Sequence, residues 1–332
     1  MTKTKSDMET FKNDLYDRFK KLSPTLDEDS EFSVVTISRS YPHKIGMTSD
    51  GYPMLFVECI NDKETTDINL KLFKVSFNQT CQLKEGNIFH DKKYTIIQLN
   101  SSNIDFQKYF LEVMCLIFEK LPSKPTVEQL KKEVSKIISM FTGNATISKE
   151  VIKGLWAELF IIEQARNADY LIKAWHVSPE DKYDFNDGID KIEVKSTSNI
   201  ERVHHFAIEQ LNPNKESQLL IASCIVIGTG IGESVFDLVD KISSKVTNID
   251  LILKLKETVM ATIGSHFNEV KNQQFDYTLA KDNLKWFDYR SIPSIEPSCV
   301  PSGVTDVHFA SCLKNIEDTD YKKLKGNLYK AL

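Results

Sequence analysis

Lys191, Glu193 and Lys195 alternate with Ile192 and Val194, and a period of two admits an extended strand with charges on one face and aliphatic groups on the other. One face is expected to be core and the other polar. Just upstream, Asn186-Asp187-Gly188-Ile189-Asp190 is hairpin-grade turn chemistry, which makes Tyr183 to Asn186 the partner strand. If the loop is the four residues Asp187 to Asp190, Asp184 falls opposite Glu193. If it is only Asp187-Gly188, Asp184 falls opposite Lys191 with Glu193 diagonal. Either even-numbered loop leaves Asp184 on the face of Glu193 and Lys195, and Cβ atoms of directly opposed residues stand about 5 Å apart.

Two carboxylates at that distance repel unless a proton or cation intervenes. A hard divalent ion such as Mg2+, which takes oxygen ligands in near-octahedral geometry and also accepts phosphate oxygens, satisfies them. The backbone carbonyl of Val194 is a further candidate ligand. Lys195 follows Glu193 on the same face, where neighbouring positive charge and partial burial favour its neutral form and let it position or deprotonate an attacking water. A third carboxylate comes from the preceding helix, Lys149 to Ala165. Val151, Leu155, Leu159 and Ile162 define an apolar stripe there, and Glu158 lies on it. A glutamate on a buried stripe is costly unless paired or bound to metal. Glu163, on a different flank, requires no such explanation.

Glu-x-Lys alone carries little weight, and the chain holds its own control. Glu269-Val270-Lys271 repeats the tripeptide after a helical segment, with no upstream aspartate on a hairpin. A solvated charged strand face is the default for Glu193 and Lys195 taken alone. Asp184 in phase and Glu158 on the stripe favour a site. His204 and His205 are adjacent, so on a strand they point to opposite faces and cannot share one ion. Gly228-Thr229-Gly230-Ile231-Gly232 sits between a strand and a helix but lacks the Lys-Ser/Thr of a phosphate loop, so it reads as a plain turn.

The rest of the chain divides into two parts. A short amphipathic helix carrying Met8, Phe11, Leu15 and Phe19 is followed by β-rich runs at Phe32 to Ile37, Met54 to Ile60, Ile68 to Phe77 and Tyr94 to Leu99. The apolar positions change parity between Leu72 and Phe73, which predicts a bulge. Helices follow at Asp105 to Lys120 and, behind a Thr126/Gln129 capping box, through Leu130, Val134, Ile137 and Ile138. Thr142 to Thr146 then punctuates the chain. The expected domains are residues 1–145, a β-plus-helix unit for recognition or partner docking, and residues 146–332, which hold the chemistry.

Composition bounds the partners. Lys plus Arg number 42 against 47 Asp plus Glu, a net charge of −5, so no uniform basic field exists to hold a polyanion. A locally basic face, or metal ions between carboxylates, is the remaining route to nucleic acid. The start of the chain lacks the apolar stretch of a secretory signal, and the longest apolar run, Leu219 to Ile227, is too short to span a bilayer. A cytoplasmic location is expected, with the six cysteines reduced and mostly buried.

The run Gly154-Leu155-Trp156-Ala157-Glu158-Leu159, then Tyr183-Asp184-Phe185, then Ile192 to Thr197, then Glu209-Gln210-Leu211, resembles a bacterial family of the PD-(D/E)XK nuclease superfamily often encoded within restriction-type defence clusters. The resemblance is strongest over Lys149 to Gly228 and extends more weakly to Gly46 and the Asp50-Gly51-Tyr52-Pro53 turn. It implies a mixed α/β (α+β) fold in which the N-terminal antiparallel β unit precedes a restriction-endonuclease-like core, a central mixed sheet flanked by helices. By the same resemblance Asp184 and Glu193 are metal-binding acids, Lys195 the catalytic lysine, Glu158 the leading-helix acid, and Gln210 a polar residue near the active site. The superfamily core places a helix between its third and fourth strands, whereas Leu211 to Gln218 has room for barely two turns. Either strand four is not Leu219 to Ile227, or the crossover is reduced and the pairing altered.

The expected function is a Mg2+- or Mn2+-dependent DNA endonuclease of a restriction or anti-phage defence system. Its expected partners are DNA and other subunits of such a system, with a homodimer as an option and no membrane. The alternative is a non-catalytic DNA-binding or assembly subunit that retains the nuclease-like core.

Overall fold

A computed structural model of the chain describes residues 15–24, 32–38, 41–60, 65–141, 147–177, 181–214, 216–264 and 266–332. The chain forms two compact units, residues 1–142 and 143–332. It is a mixed α/β protein whose first unit is dominated by antiparallel strands. Met8, Phe11 and the segment Thr142 to Thr146 lie outside the described residues.

In the first unit, residues 15–20 form a helical turn (α1). Six strands follow: β1 (Phe32–Ser38), β2 (Tyr41–Met47), β3 (Pro53–Val57), β4 (Ile68–Asn69), β5 (Phe73–Glu85) and β6 (Ile88–Leu99). They pair in the order β1-β2-β3-β6-β5-β4, and β1 also pairs with β5 in parallel, which closes a ring of strands. Closure leaves few open edges. The ring encloses Val34, Met54, Phe56, Leu83 and Tyr94. The parity change at Leu72/Phe73 is a tight β4–β5 turn, with Leu70 N donating to Phe73 O. The bulge comes later, between Ser76 and Gln79, where Asn78 takes φ 53°. Strand β2 escapes a sequence reading because its apolar and polar positions do not alternate. Helix α2 (Ile104–Lys120) is capped by Asn103 and α3 (Val127–Phe141) by the reciprocal Thr126/Gln129 bonds.

The second unit opens with α4 (Lys149–Gln164), capped by Ser148, and α5 (Ala168–Ala174), capped by Asn167. Its sheet has the order β13-β10-β8-β7. Strands β7 (Phe185–Asn186) and β8 (Asp190–Thr197) form the hairpin, β10 (Gln218–Ile225) runs parallel to β8, and β13 (Lys285–Asp288) is antiparallel to β10. Strand β9 (Val203–Ala207) pairs instead with β14 (His308–Cys312). Among the described residues, the 3-10 turn η1 (Ile208–Leu211) is the one helical element between β9 and β10. The crossover is thus reduced and the pairing altered, with Leu219 to Ile225 beside β8.

Both faces of β8 are covered. Lys191, Glu193 and Lys195 lie level with Leu219, Ile221 and Ser223 on β10, and Tyr183, Phe206 and Leu211 form one buried cluster with Leu219, Ile221 and the β13 residue Phe287. Lys191 and Glu193 are therefore buried, which corrects the expectation of a simple polar face. Cys115 and Cys224 are buried, Cys59 and Cys81 half-buried, and Cys299 and Cys312 exposed, so the six free thiols are less buried than expected. The glycine-rich segment is a turn: Gly228–Thr229 (β11) pairs with Gln274–Phe275 (β12), and Ser234 caps α6 (Val235–Lys245). Helix α7 spans Ile249–Ile263. Among the described residues, no helix is long and apolar enough to cross a membrane.

Candidate active site

Phe185 pairs with Ile192 and Asn186 with Lys191. Carried one residue further, this register sets Asp184 opposite Glu193, as the four-residue loop requires. The Val194 amide donates to Asp184 Oδ2 at 2.6 Å. Trp175 forms a bridge to Phe185, and His176 N donates to Asp184 O at 3.0 Å. The segment after α5 thereby lies along the outer side of the hairpin.

Glu158 reaches this point from α4. Its Oε2 accepts from Trp175 Nε1 at 2.7 Å and lies 2.8 Å from His176 Nε2. Leu155, Leu159 and Ile162 on the predicted stripe are buried, whereas Val151 is exposed and the adjacent Ile152 is the residue of that first turn that packs inward. Glu163 corrects the sequence reading more sharply. It is buried, its Oε1 lies 2.6 Å from Lys245 Nζ, and it accepts from Tyr277 Oη at 2.5 Å. Its partners come from α6 and from the helix Tyr277–Asp282, far along the chain.

Glu193 Oε1 accepts from Gln210 Nε2 at 2.5 Å and lies 2.8 Å from Lys195 Nζ. Lys195 Nζ also donates to Gln210 Oε1 at 3.0 Å and rests over the Phe206 ring at 5.1 Å. Gln210 is held by the Ala207 amide, and its turn is tied to the hairpin where Tyr183 Oη donates to Glu209 O at 3.2 Å. The remaining carboxylate oxygen, Glu193 Oε2, is buried without a hydrogen-bond partner among the described residues.

The electrostatics of the acids reflect their crowding. Burial, with the charges of Glu193 and Glu158, holds the Asp184 carboxyl well above the usual carboxylate range. Burial likewise raises Glu193, with Lys195 opposing and Glu158 adding to the shift. Burial disfavours a charged His176 ring, yet the hydrogen bond and charge of Glu158 bring it above the ordinary imidazole value. Such a group of acids calls for a cation. The orphaned Glu193 Oε2 fits one, and ligand atoms of Glu158, His176 and Asp184 all lie within 4.8 Å of one another.

The structure thus brings Glu158, Asp184, Glu193, Lys195 and Gln210 together, with Val194 contributing its amide to Asp184. His176 was not legible in the sequence, since neither periodicity nor motif spacing marks it. His204 is buried against Ser223 Oγ at 2.7 Å, while His205 is exposed on the opposite side of β9.

A family model described as "Putative PD-(D/E)XK family member, (DUF4420)" matches residues 15–314. The chain belongs to this PD-(D/E)XK family. No curated protein and no solved structure matches it. The family match spans both units, and the nuclease-like arrangement of a leading-helix acid, a hairpin aspartate and Glu-x-Lys belongs to the second.

Proposed function

We propose that the protein is a divalent-metal-dependent DNA endonuclease of a bacterial restriction or anti-phage defence system. The carrying observation is the group of Glu158, Asp184 and Glu193 beside Lys195, with Glu193 Oε2 buried and unpartnered among the described residues. Asp184, Glu193 and Glu158 would hold Mg2+ or Mn2+, with the Val194 carbonyl as a further ligand. Such an ion supplies Lewis acidity toward a phosphoryl group, a lowered pKa for water and charge neutralisation.

The chain's own residues supply the rest. Glu193 Oε1 and Gln210 Oε1 fix Lys195 Nζ, which orients the attacking water and handles its proton at Nζ. Burial around β8 limits competing water. The unit of residues 1–142 is assigned target recognition or docking of other defence subunits. Net charge of −5 gives little nonspecific hold on DNA, so specific contacts or a partner supply the binding.

Purified protein, supercoiled DNA and Mg2+ or Mn2+ provide the test. Cleavage is expected, abolished by chelation and reduced by about a hundredfold or more in Lys195→Ala. Cleavage that survives both changes would sink the mechanism. If no divalent ion shifts thermal stability, and Glu193→Ala alters no ion response, the assembly reading takes its place.

A further inference from the structure

His176 Nε2 lies 2.8 Å from Glu158 Oε2, and Asp184 offers a ligand atom within 4.8 Å of both. On an octahedral ion with bonds near 2.1 Å, adjacent ligands stand about 3.0 Å apart and opposite ones about 4.2 Å. The observed spacings suit one ion shared by a nitrogen and two carboxylates after small side-chain adjustments. The ring also has solvent access, since the His176 side chain is 37% exposed and that of Glu158 14%. Its placement is built into the fold: His176 N is bound to Asp184 O, and the preceding Trp175 donates to Glu158. Glu193 stands opposite Asp184 across the hairpin and is 4% exposed, and its Oε2 has no hydrogen-bond partner among the described residues, a separate observation that points to a cation beside Asp184.

We propose that His176 ligates, through Nε2, the divalent ion held by Glu158 and Asp184, making a mixed nitrogen–oxygen centre that favours Mn2+ or a later transition ion over Mg2+. This rests on the metal-dependent reading above. A neutral imidazole keeps one N–H, which lies on Nδ1 when Nε2 is the donor atom. Oxygen-only sites suit Mg2+, whereas imidazole suits first-row transition ions, whose affinities rise from Mn2+ onward. A plain His176–Glu158 ion pair would account for the one contact at 2.8 Å. It would not call for Asp184 in reach of the same ring, nor for the orphaned oxygen of Glu193.

The full chain loaded with Mn2+ and studied by pulsed electron paramagnetic resonance tests this. The hyperfine coupling of a directly bound imidazole nitrogen is expected, and it should vanish in His176→Gln. Calorimetric titration of His176→Gln should show Mn2+ binding weakened about tenfold or more and Mg2+ binding weakened less than about threefold. If that variant melts early, 15N-histidine labelling of the unaltered chain should change the nitrogen coupling accordingly. Coupling absent from the unaltered chain, or retained in His176→Gln, overturns the assignment. Asp184→Asn separates this from the broader reading. Mn2+ binding lost in Asp184→Asn with no nitrogen coupling in the unaltered chain defeats His176 alone, whereas binding unchanged in Asp184→Asn defeats both.

Discussion

Gln210 donates its side-chain amide to Glu193 Oε1 at 2.5 Å. The same amide accepts from Lys195 Nζ at 3.0 Å and from Ala207 N at 3.1 Å, so one side chain orients both members of the Glu193–Lys195 pair. Gln210→Ala is expected to retain ion-induced stabilisation, because Glu158 and Asp184 are held by other groups. Its cleavage rate should fall about 10- to 100-fold, as for loss of an outer partner of a metal site. A rate within about twofold of the unaltered chain at saturating Mn2+ would show that Gln210 positions nothing.

Asp184 is surrounded by carboxylates, and its folded pKa lies above the unfolded value. Ionising it therefore costs stability at neutral pH, and that cost is relieved as pH falls through the raised value. In Asp184→Asn the side-chain oxygen still accepts from Val194 N, and the new amide can donate to a neighbouring acid. Without divalent ions the variant should be more stable by on the order of 1–2 kcal/mol, with the ion-induced rise in melting temperature abolished. Thermal unfolding with and without Mn2+ checks both halves, and a less stable ion-free variant would contradict the crowding argument.

His43 lies in β2 with no solvent exposure and, among the described residues, no hydrogen-bond partner at either ring nitrogen. It packs against Tyr41 and Phe118. Burial depresses its pKa to about 4, against a weaker opposing pull from Glu58. A base with a depressed folded pKa is neutral in the fold but protonated in the unfolded chain between pH 6.5 and about 4. Stability should therefore decline across that window, by about 3 kcal/mol in total. His204, also lowered to about 4 by burial, acts with the same sign in the second unit. Urea unfolding at pH 7 and pH 4.5 should show a smaller acid loss for the first unit in His43→Leu, and an unchanged loss would remove His43 as its source.

Gly232 allows a close approach of backbone. A Cβ there would lie 2.3 Å from Phe275 O, beside the reciprocal bonds between Glu233 and Phe275. Gly232→Ala should cost about 1–3 kcal/mol by forcing β12 away, whereas Gly230→Ala, which meets nothing within 4 Å, should be nearly neutral. Equal melting temperatures for the two variants would disprove the steric account.

The hairpin was legible because its information is local. A period of two places Glu193 and Lys195 on one face, and the four-residue turn Asp187 to Asp190 sets Asp184 across from Glu193. Glu158 stood out because a charge on an apolar helical stripe needs a partner. The same local logic misjudged Glu163, whose burial depends on Lys245 and Tyr277. It also misplaced the bulge near Leu72, since a tight turn and a bulge shift apolar parity in the same way.

By itself, the sequence determined the strand faces, the hairpin and the presence of carboxylates in phase, because covalent spacing and backbone geometry set these. The tertiary structure decided which groups those carboxylates meet. Trp175 and His176 reach Glu158 because α5 returns the chain along the hairpin, and Gln210 reaches Glu193 and Lys195 because η1 folds over β8. The parallel pairing of β8 with β10 buries a strand whose alternation alone suggested one wet face. Each of these depends on packing between segments distant in sequence, where hydrophobic burial selects the neighbours and no local pattern records the choice.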